Sequence, residues 1–306
     1  MTTENTNSVP KASVIVRTKD CSDIIGQTLK ALFSQCFKDF ELIVVDSGST
    51  DDTLDIVGEF PCTLVHMKPN DYLSGRSLNL GASHARSDLL MFQNSDTVPL
   101  SPHALGNLVQ VFDDQGVDAA FGRQVPRPEA WSWVRLEVES AFPDADETPP
   151  WIPFAAPFAA MRKNVWQEHP FFEGAWGSED TEWGFWAREN GKRIRYIKDA
   201  EVMHSHNHNL RQLYGRLFTE GEAMGIIQRD KESFVRSIAK GIKETSRECA
   251  FAVRQTDIRG LFFIPIRRSI MHWAYYKGHK FGEHRLATGD TDPTTGQNII
   301  LKRYDG

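Results

Sequence analysis

His204, His206 and His208 stand at every second position of MHSHNHNLRQLYGRL, the stretch from Met203 to Leu217. Imidazole suits Zn, Cu, Fe and Ni, and alternate side chains of an extended segment share one face. Most clustered histidines bind nothing, so the rest of the chain must say what these do. Four polar clusters close or open elements elsewhere: Thr18-Lys19-Asp20, Asp46-Ser47-Gly48, Gln93-Asn94-Ser95-Asp96 and Glu179-Asp180. Taken singly, each reads as a turn or a helix cap. Taken together they are a set of chemical tools. Asp96 can ligate a divalent cation, Asp20 and Asp46 can accept hydrogen bonds from a base or a ribose, and Glu179 or Asp180 can take a proton as a general base. Few protein ligands plus substrate phosphates is the usual way Mg²⁺ is held.

These residues need elements to position them, and the hydrophobic pattern supplies them. Ala12 to Val16, Phe40 to Val45, Cys62 to Met67 and Leu89 to Phe92 are short apolar or β-branched runs, each predicted as a strand. Helical spacing recurs between them, over Ile24 to Cys36, up to Val57, and over Leu78 to Ala85. Alternating strands and helices with polar strand ends predict an open parallel α/β sheet whose ligands sit outside the carboxyl ends. Pro126 to Phe158, rich in Pro, Trp and acids, is expected as a long irregular excursion. A strand over Phe158 to Met161, a helix from Thr181 to Asn190, and two strands over Ile194 to Ile197 and Glu201 to His204 follow. The last hundred or so residues have mostly helical spacing.

The composition is that of an ordinary globular chain: 306 residues, 40% hydrophobic and 25% charged. A formal net charge of -6 excludes the basic balance of a nucleic-acid-binding domain. Cys21, Cys36, Cys62 and Cys249 form no CxxC pair and are expected to be free thiols in a reducing compartment. MTTENTNSVP has no apolar core of a signal peptide. A cytoplasmic protein is therefore expected, with peripheral contact at the inner face of the plasma membrane left open.

The runs V-I-V-R-T-K (14 to 19), E-L-I-V-V-D-S-G-S-T-D (41 to 51), N-S-D (94 to 96) and G-S-E-D-T-E-W (177 to 183) occur in this order. This pattern resembles the inverting family-2 glycosyltransferases of GT-A fold. D-Y-L-S-G-R-S-L-N-L-G-A (71 to 82) and H-S-H-N-H-N-L-R-Q-L (204 to 213) resemble the bacterial rhamnosyltransferase-type branch. Two departures stand out: the branch has adjacent Arg-Asn where this chain has Arg76-Ser-Leu-Asn79, and Gln-Asp where it has Ser95-Asp96.

The resemblance implies a role for each matching position. Thr18, Asp20, Asp46 and Ser47 would hold the nucleotide's base and ribose. Arg76 and Asn79 would approach the nucleotide and diphosphate, with Ser95 beside them. Asp96 and His204 would bind a divalent cation, Mn²⁺ or Mg²⁺, and Asn94 in place of the first acid would leave Asp96 as the single carboxylate. Asp180 would be the catalytic base, with Glu179 orienting it or binding an acceptor hydroxyl. His206 could join His204 or contact the diphosphate, and Trp176 could stack on an acceptor sugar. The partners implied are a nucleotide-sugar donor, with dTDP-rhamnose the sugar nucleotide of the branch, and a saccharide or lipid-linked saccharide acceptor of surface polysaccharide. A nucleotidyltransferase and a non-catalytic carbohydrate-binding module are the competing readings. The first would want a Gly-rich phosphate loop, and the second leaves Asp96, Asp180 and His204 unused.

The expected organisation is a loose tail over 1 to 10 and a GT-A domain over 11 to 210, followed by a helical extension over 211 to 306. Within the domain, the nucleotide part is about 11 to 100 and the acceptor part about 101 to 210. Residues 254 to 285 carry seven Lys/Arg against two Asp/Glu, mixed with Trp273, Tyr275 and Tyr276. That segment could lie on a membrane, contact a second subunit or pack on its own domain.

Overall fold

The computed structural model describes residues 8–227 and 234–297. The expected tail therefore lies outside the described residues as far as residue 7. In chain order the elements are β1 (Ala12–Thr18), α1 (Ile25–Phe33), β2 (Phe40–Asp46), α2 (Thr53–Val57), β3 (Thr63–His66), α3 (Ser74–Ser83), β4 (Leu89–Asn94) and β5 (Val98–Pro99). Then come α4 (Ala104–Gln110), β6 (Ala119–Val125), α5 (Ser132–Ala141), β7 (Phe158–Arg162), α6 (Lys163–Glu168), α7 (Glu179–Glu189) and β8 (Ile194–Met203). Three long helices follow: α8 (Leu210–Ile227), α9 (Phe234–Arg254) and α10 (Ile258–Thr288).

The strands form an eight-stranded sheet in the order β3-β2-β1-β4-β7-β6-β8-β5. The four predicted strands are its parallel half. β7 pairs antiparallel with β4 and with β6, and β5 pairs antiparallel with β8, so the sheet is mixed. Alternation along the strands divides the core in two. Ile15, Ile43, Val45, Leu90 and Phe92 enter one apolar cluster, while Val14, Val16, Leu42, Val44 and Met91 enter the other. A period of two puts alternate residues on opposite faces, and both faces are covered, as parallel sheets require.

The chain divides into two compact units. The first takes in the chain up to Gln124, Phe142–Phe171 and Trp183–His204; the second takes in Val125–Ala141, Phe172–Glu182 and the chain from Ser205 on. The first holds the sheet. Within the second, α8, α9 and α10 pack together, and α5 packs on α9.

The structure corrects three expectations. The excursion after Pro126 contains a helix, α5, whose Trp133 and Val134 are buried with Ala252 and Ile264. The two short strands after residue 194 are one strand, β8, which continues through Lys198 and Asp199. It ends at Met203, so His204, His206 and His208 do not share a strand face. The charge of 254 to 285 is also partly internal: Arg267 and Arg268 pair with Glu137 and Glu248, and Arg285 pairs with Glu222 at 2.6 Å.

Candidate active site

The registers Thr18↔Asp46 and Arg17↔Asn94 set the carboxyl ends of β2, β1 and β4 side by side. There Asp46 is buried, at 1% exposure. Its carboxylate accepts from the Gly48 N–H at 3.0 Å and from the Ser49 hydroxyl at 2.6 Å. Gly48 has φ 89°, and a Cβ there would come within 2.5 Å of Pro69 Cγ, so the turn needs glycine. Asp20, with φ 43°, accepts from the Thr50 N–H at 2.7 Å, and its own N–H donates to Ser49 Oγ at 3.0 Å. The Ser47 hydroxyl donates to the Thr18 carbonyl at 3.2 Å. Thr18, Asp20, Asp46 and Ser47 are thus brought into one hydrogen-bonded cluster, and part of its capacity is used in holding the turn.

Arg76 and Asn79 lie on α3 but in different settings. Arg76 donates to the Asp71 carbonyl at 3.1 Å. Both ends of the Asn79 amide are engaged: Nδ2 donates to the Phe171 carbonyl at 2.8 Å, and Oδ1 accepts from Phe171 N–H and Trp166 Nε1, each at 2.9 Å. Asn79 therefore braces α3 against the chain around Phe171. Arg17, to which sequence reasoning assigned no role, completes this end of the sheet. Arg17 Nε donates to Asn94 Oδ1 at 3.2 Å, and its Nη1 donates to Ser74. Asn94, standing where the resemblance implies an acid, is a neutral acceptor for a guanidinium.

Ser95 and Asp96 occupy the turn between β4 and β5, and both are half-buried. β5 pairs with the end of β8 through Val98↔Met203, which carries the chain after β8 back toward that turn. His204 Nε2 consequently lies 3.6 Å from Asp96 Oδ1. The other ring nitrogen, Nδ1, is 2.7 Å from Gln124 Oε1 on β6. An amide oxygen can only accept, so Nδ1 carries the proton in that bond and the neutral ring has its Nε2 lone pair facing Asp96. A carboxylate oxygen beside an imidazole lone pair, with the far nitrogen held by an acceptor, is the donor set expected of a divalent-cation site. Gln124 carried no sequence signal, since glutamine in a strand is compatible with almost any role.

His206 and His208 belong to the second unit. Their rings stack with centroids 5.3 Å apart. His206 is exposed, while His208 accepts from Arg216 Nη1 at 3.0 Å. Burial, reinforced by the Arg216 guanidinium, pushes His208 down to about 4. His208 is thus a neutral packing partner of Arg216.

Helix α7 begins two residues before the expected start, so Glu179 and Asp180 both fall in its first turn. The Ser178 carbonyl accepts the Glu182 N–H at 2.9 Å, from a residue with φ 65°. Glu179 is 4% exposed, whereas Asp180 is half-buried and its Oδ1 accepts from the Thr181 N–H at 2.7 Å. Of the two, Asp180 keeps the more accessible carboxylate. Trp176 is half-buried in the loop ahead of them. Trp183, at 0% exposure, is core.

A mixed sheet with a strand-end cluster, an acid after β4 and a carboxylate pair at a later helix start defines a GT-A glycosyltransferase. The family model described as glycosyl transferase family 2 matches residues 13–169. The chain belongs to that family, whose reaction inverts the transferred sugar's anomeric carbon, and it is an enzyme. The nucleotidyltransferase and non-catalytic readings fall away. The chain is 26% identical over 290 residues to the O-antigen chain rhamnosyltransferase RfbN of Salmonella typhimurium, covering 90% of each chain. It is 27% identical over 259 residues to the O-antigen chain rhamnosyltransferase WbaN of Salmonella anatum, covering 80% of each. In fold it matches the mannosyltransferase PcManGT of Pyrobaculum calidifontis, solved with GDP-Man and Mn²⁺, with a TM-score of 0.59 at 16% identity over 93% of this chain and 89% of that one.

Proposed function

We propose that this chain is a metal-dependent glycosyltransferase of surface-polysaccharide assembly, with dTDP-rhamnose as donor and a saccharide or lipid-linked saccharide as acceptor. The observation that carries the metal reading is the arrangement of Asp96, His204 and Gln124. The carboxylate of the donor set suits Mn²⁺ or Mg²⁺, and the Mn²⁺ in the PcManGT structure supports the same reading. The rhamnosyl group and the pathway rest on the similarity to RfbN and WbaN, both O-antigen chain rhamnosyltransferases, and the dTDP carrier on the resemblance to the rhamnosyltransferase-type branch.

In this reading Asp96 and His204 are the protein's cation ligands. A bound divalent cation would offset the charge that collects on the departing diphosphate. Thr18, Asp20, Asp46 and Ser47 orient the nucleoside, and Arg76 supplies a cation toward the diphosphate, with Ser95 nearby in sequence to Asp96. Asn79 contributes through the chain segment it braces. Asp180 accepts the proton of the acceptor hydroxyl as that oxygen attacks the anomeric carbon. The bond from that carbon to the diphosphate oxygen breaks on the opposite face, so the configuration inverts. Glu179 orients Asp180 or binds an acceptor hydroxyl, and Trp176 offers a flat apolar surface to an acceptor sugar.

A thermal-shift panel of nucleotide sugars, run with Mn²⁺ and again with EDTA, tests the donor assignment. The melting temperature is expected to rise most with dTDP-rhamnose, and only in the presence of metal. A larger shift with another sugar nucleotide would replace the donor, and an equal shift in EDTA would remove the metal from the reading.

A further inference from the structure

One side of the helical unit is apolar and basic at once. On α10, at about 100° per residue, Ile258, Phe262, Ile266 and Trp273 fall within an arc of about 80°. Phe262 is 77% exposed and Ile258 70%. The opposite side of the same helix is the packed one, where Ile264, Ala274, Gly278 and Gly282 are buried. Pro265 lies inside the helix, where it removes one backbone donor. On the neighbouring α9, Ile242 is 65% and Val253 60% exposed. A groove of about 400 Å³ opens along α9 and α10, lined in part by Ile238, Ile242, Trp273 and Tyr276.

The charges of this region are segregated. Among residues 238 to 288 the acids are Glu244, Glu248, Asp257 and Glu283, and none of them is exposed. Glu244 and Glu248 hold Arg267 and Arg268, Asp257 caps α10 by accepting from the Gly260 N–H, and Glu283 pairs with Lys280 at 2.8 Å. Lys240, Lys243, Arg247, Arg254, Arg259 and Lys277, in contrast, are all exposed. Arg259 and Lys277 flank the apolar stripe of α10, and the Lys277 ammonium lies 5.2 Å from the centre of the Trp273 ring. On α9 the cations Lys240, Lys243, Arg247 and Arg254 lie about 80° or more around the helix from Ile242 and Val253, so the cations that border the apolar surface are Arg259 and Lys277 of α10, on a chain whose overall charge is -6.

We propose that the outer face of α9 and α10 docks on the surface of an anionic bilayer. Apolar side chains at that depth enter the headgroup boundary, and the flanking Arg259 and Lys277 meet anionic headgroups. Among the described residues no helix is long and apolar enough to cross a membrane, so the contact is peripheral. A second copy of the chain fits this face less well. A two-fold contact would set the same patch against itself and bring Arg259 and Lys277 of one copy against the same cations of the other.

Flotation of the full chain with phosphatidylcholine–phosphatidylglycerol vesicles, against phosphatidylcholine alone, tests the proposal. Binding is expected to the anionic vesicles and is expected to fall as salt rises. Arg259→Gln combined with Lys277→Gln should weaken partition about 25-fold, at ~1 kcal/mol per cation. Phe262→Ser combined with Trp273→Ser should lose flotation while keeping the parent's melting temperature. Equal binding to both vesicle types, or flotation undiminished in the Phe262/Trp273 pair, would overturn the proposal. So would a parent dimer in lipid-free buffer that the same pair converts to monomer, since that assigns the face to a second copy.

Discussion

Asp180→Asn is expected to transfer sugar about 10²–10⁴-fold more slowly than the parent, the range for loss of a general base, with donor affinity close to normal. The substitution keeps size and hydrogen bonding and removes basicity. Asp180 sits in the first turn of α7, where the helix's partial positive charge suits a carboxylate. Its Oδ1 takes the Thr181 N–H at 2.7 Å, a contact that asparagine's oxygen can repeat. The fold should therefore survive, and the loss should appear in kcat. Glu179→Gln is the informative control, because Glu179 is buried and Asp180 is not. If Glu179→Gln is inactive while Asp180→Asn turns over normally, the two carboxylates have exchanged roles. If both variants stay active, the base lies elsewhere.

Glu248→Ala should cost about 3–5 kcal/mol of stability, the usual consequence of taking one partner from a buried charge pair. The Glu248 side chain is fully buried, those of Arg267 and Arg268 nearly so, and Arg267 Nη1 lies 3.1 Å from Glu248 Oε2. Glu137 reaches the same two guanidiniums from α5, at 2.5 Å and 3.1 Å. Glu244 adds a contact to Arg268 at 2.7 Å. Removing Glu248 leaves two cations in a site built for three carboxylates. Urea denaturation of parent and variant measures the loss, and a change near zero would show that the network stabilises nothing. The same titrations carry a pH signature. His272, 3.2 Å away, and then Arg268 hold the Glu244 carboxyl down at about 2, from an ordinary 4.5. A lowered folded-state value means the unfolded chain binds the proton first. The contribution is therefore whole above about pH 4.5 and is lost as pH falls toward about 2. Glu244→Gln should flatten that part of the stability curve.

The sheet's parallel half was legible because its strands are uninterrupted apolar runs that end in polar turns: Val14 to Val16, Leu42 to Val45 and Leu89 to Phe92 are buried on both faces. Helix α5 was not. Its own stretch, Ser132–Ala141, holds no proline, but the composition around it suggested irregular chain. What Trp133 and Val134 pack on arrives more than a hundred residues later, with Ala252 and Ile264. β8 was divided in two because Lys198-Asp199 interrupts its apolar pattern. In the fold Lys198 pairs with Asp146 at 2.9 Å, and the strand runs on.

The site divides in the same way. Asp96 and His204 could be named from motif order, and the pairing of β5 with β8 accounts for their approach. The alternation of the three histidines is not what aligns them, since β8 stops at Met203. Gln124 and Arg17 depend on contacts 80 and 77 residues away along the chain. No local pattern marks such residues.

Calorimetric titration of Mn²⁺ into the parent chain and into Asp96→Ala and Gln124→Leu tests the metal site most directly. One ion is expected to bind the parent and none the Asp96 variant. Gln124→Leu, which leaves Nδ1 of His204 without its acceptor, should bind about 10–100-fold more weakly. Mn²⁺ bound as tightly by Asp96→Ala as by the parent would contradict the account.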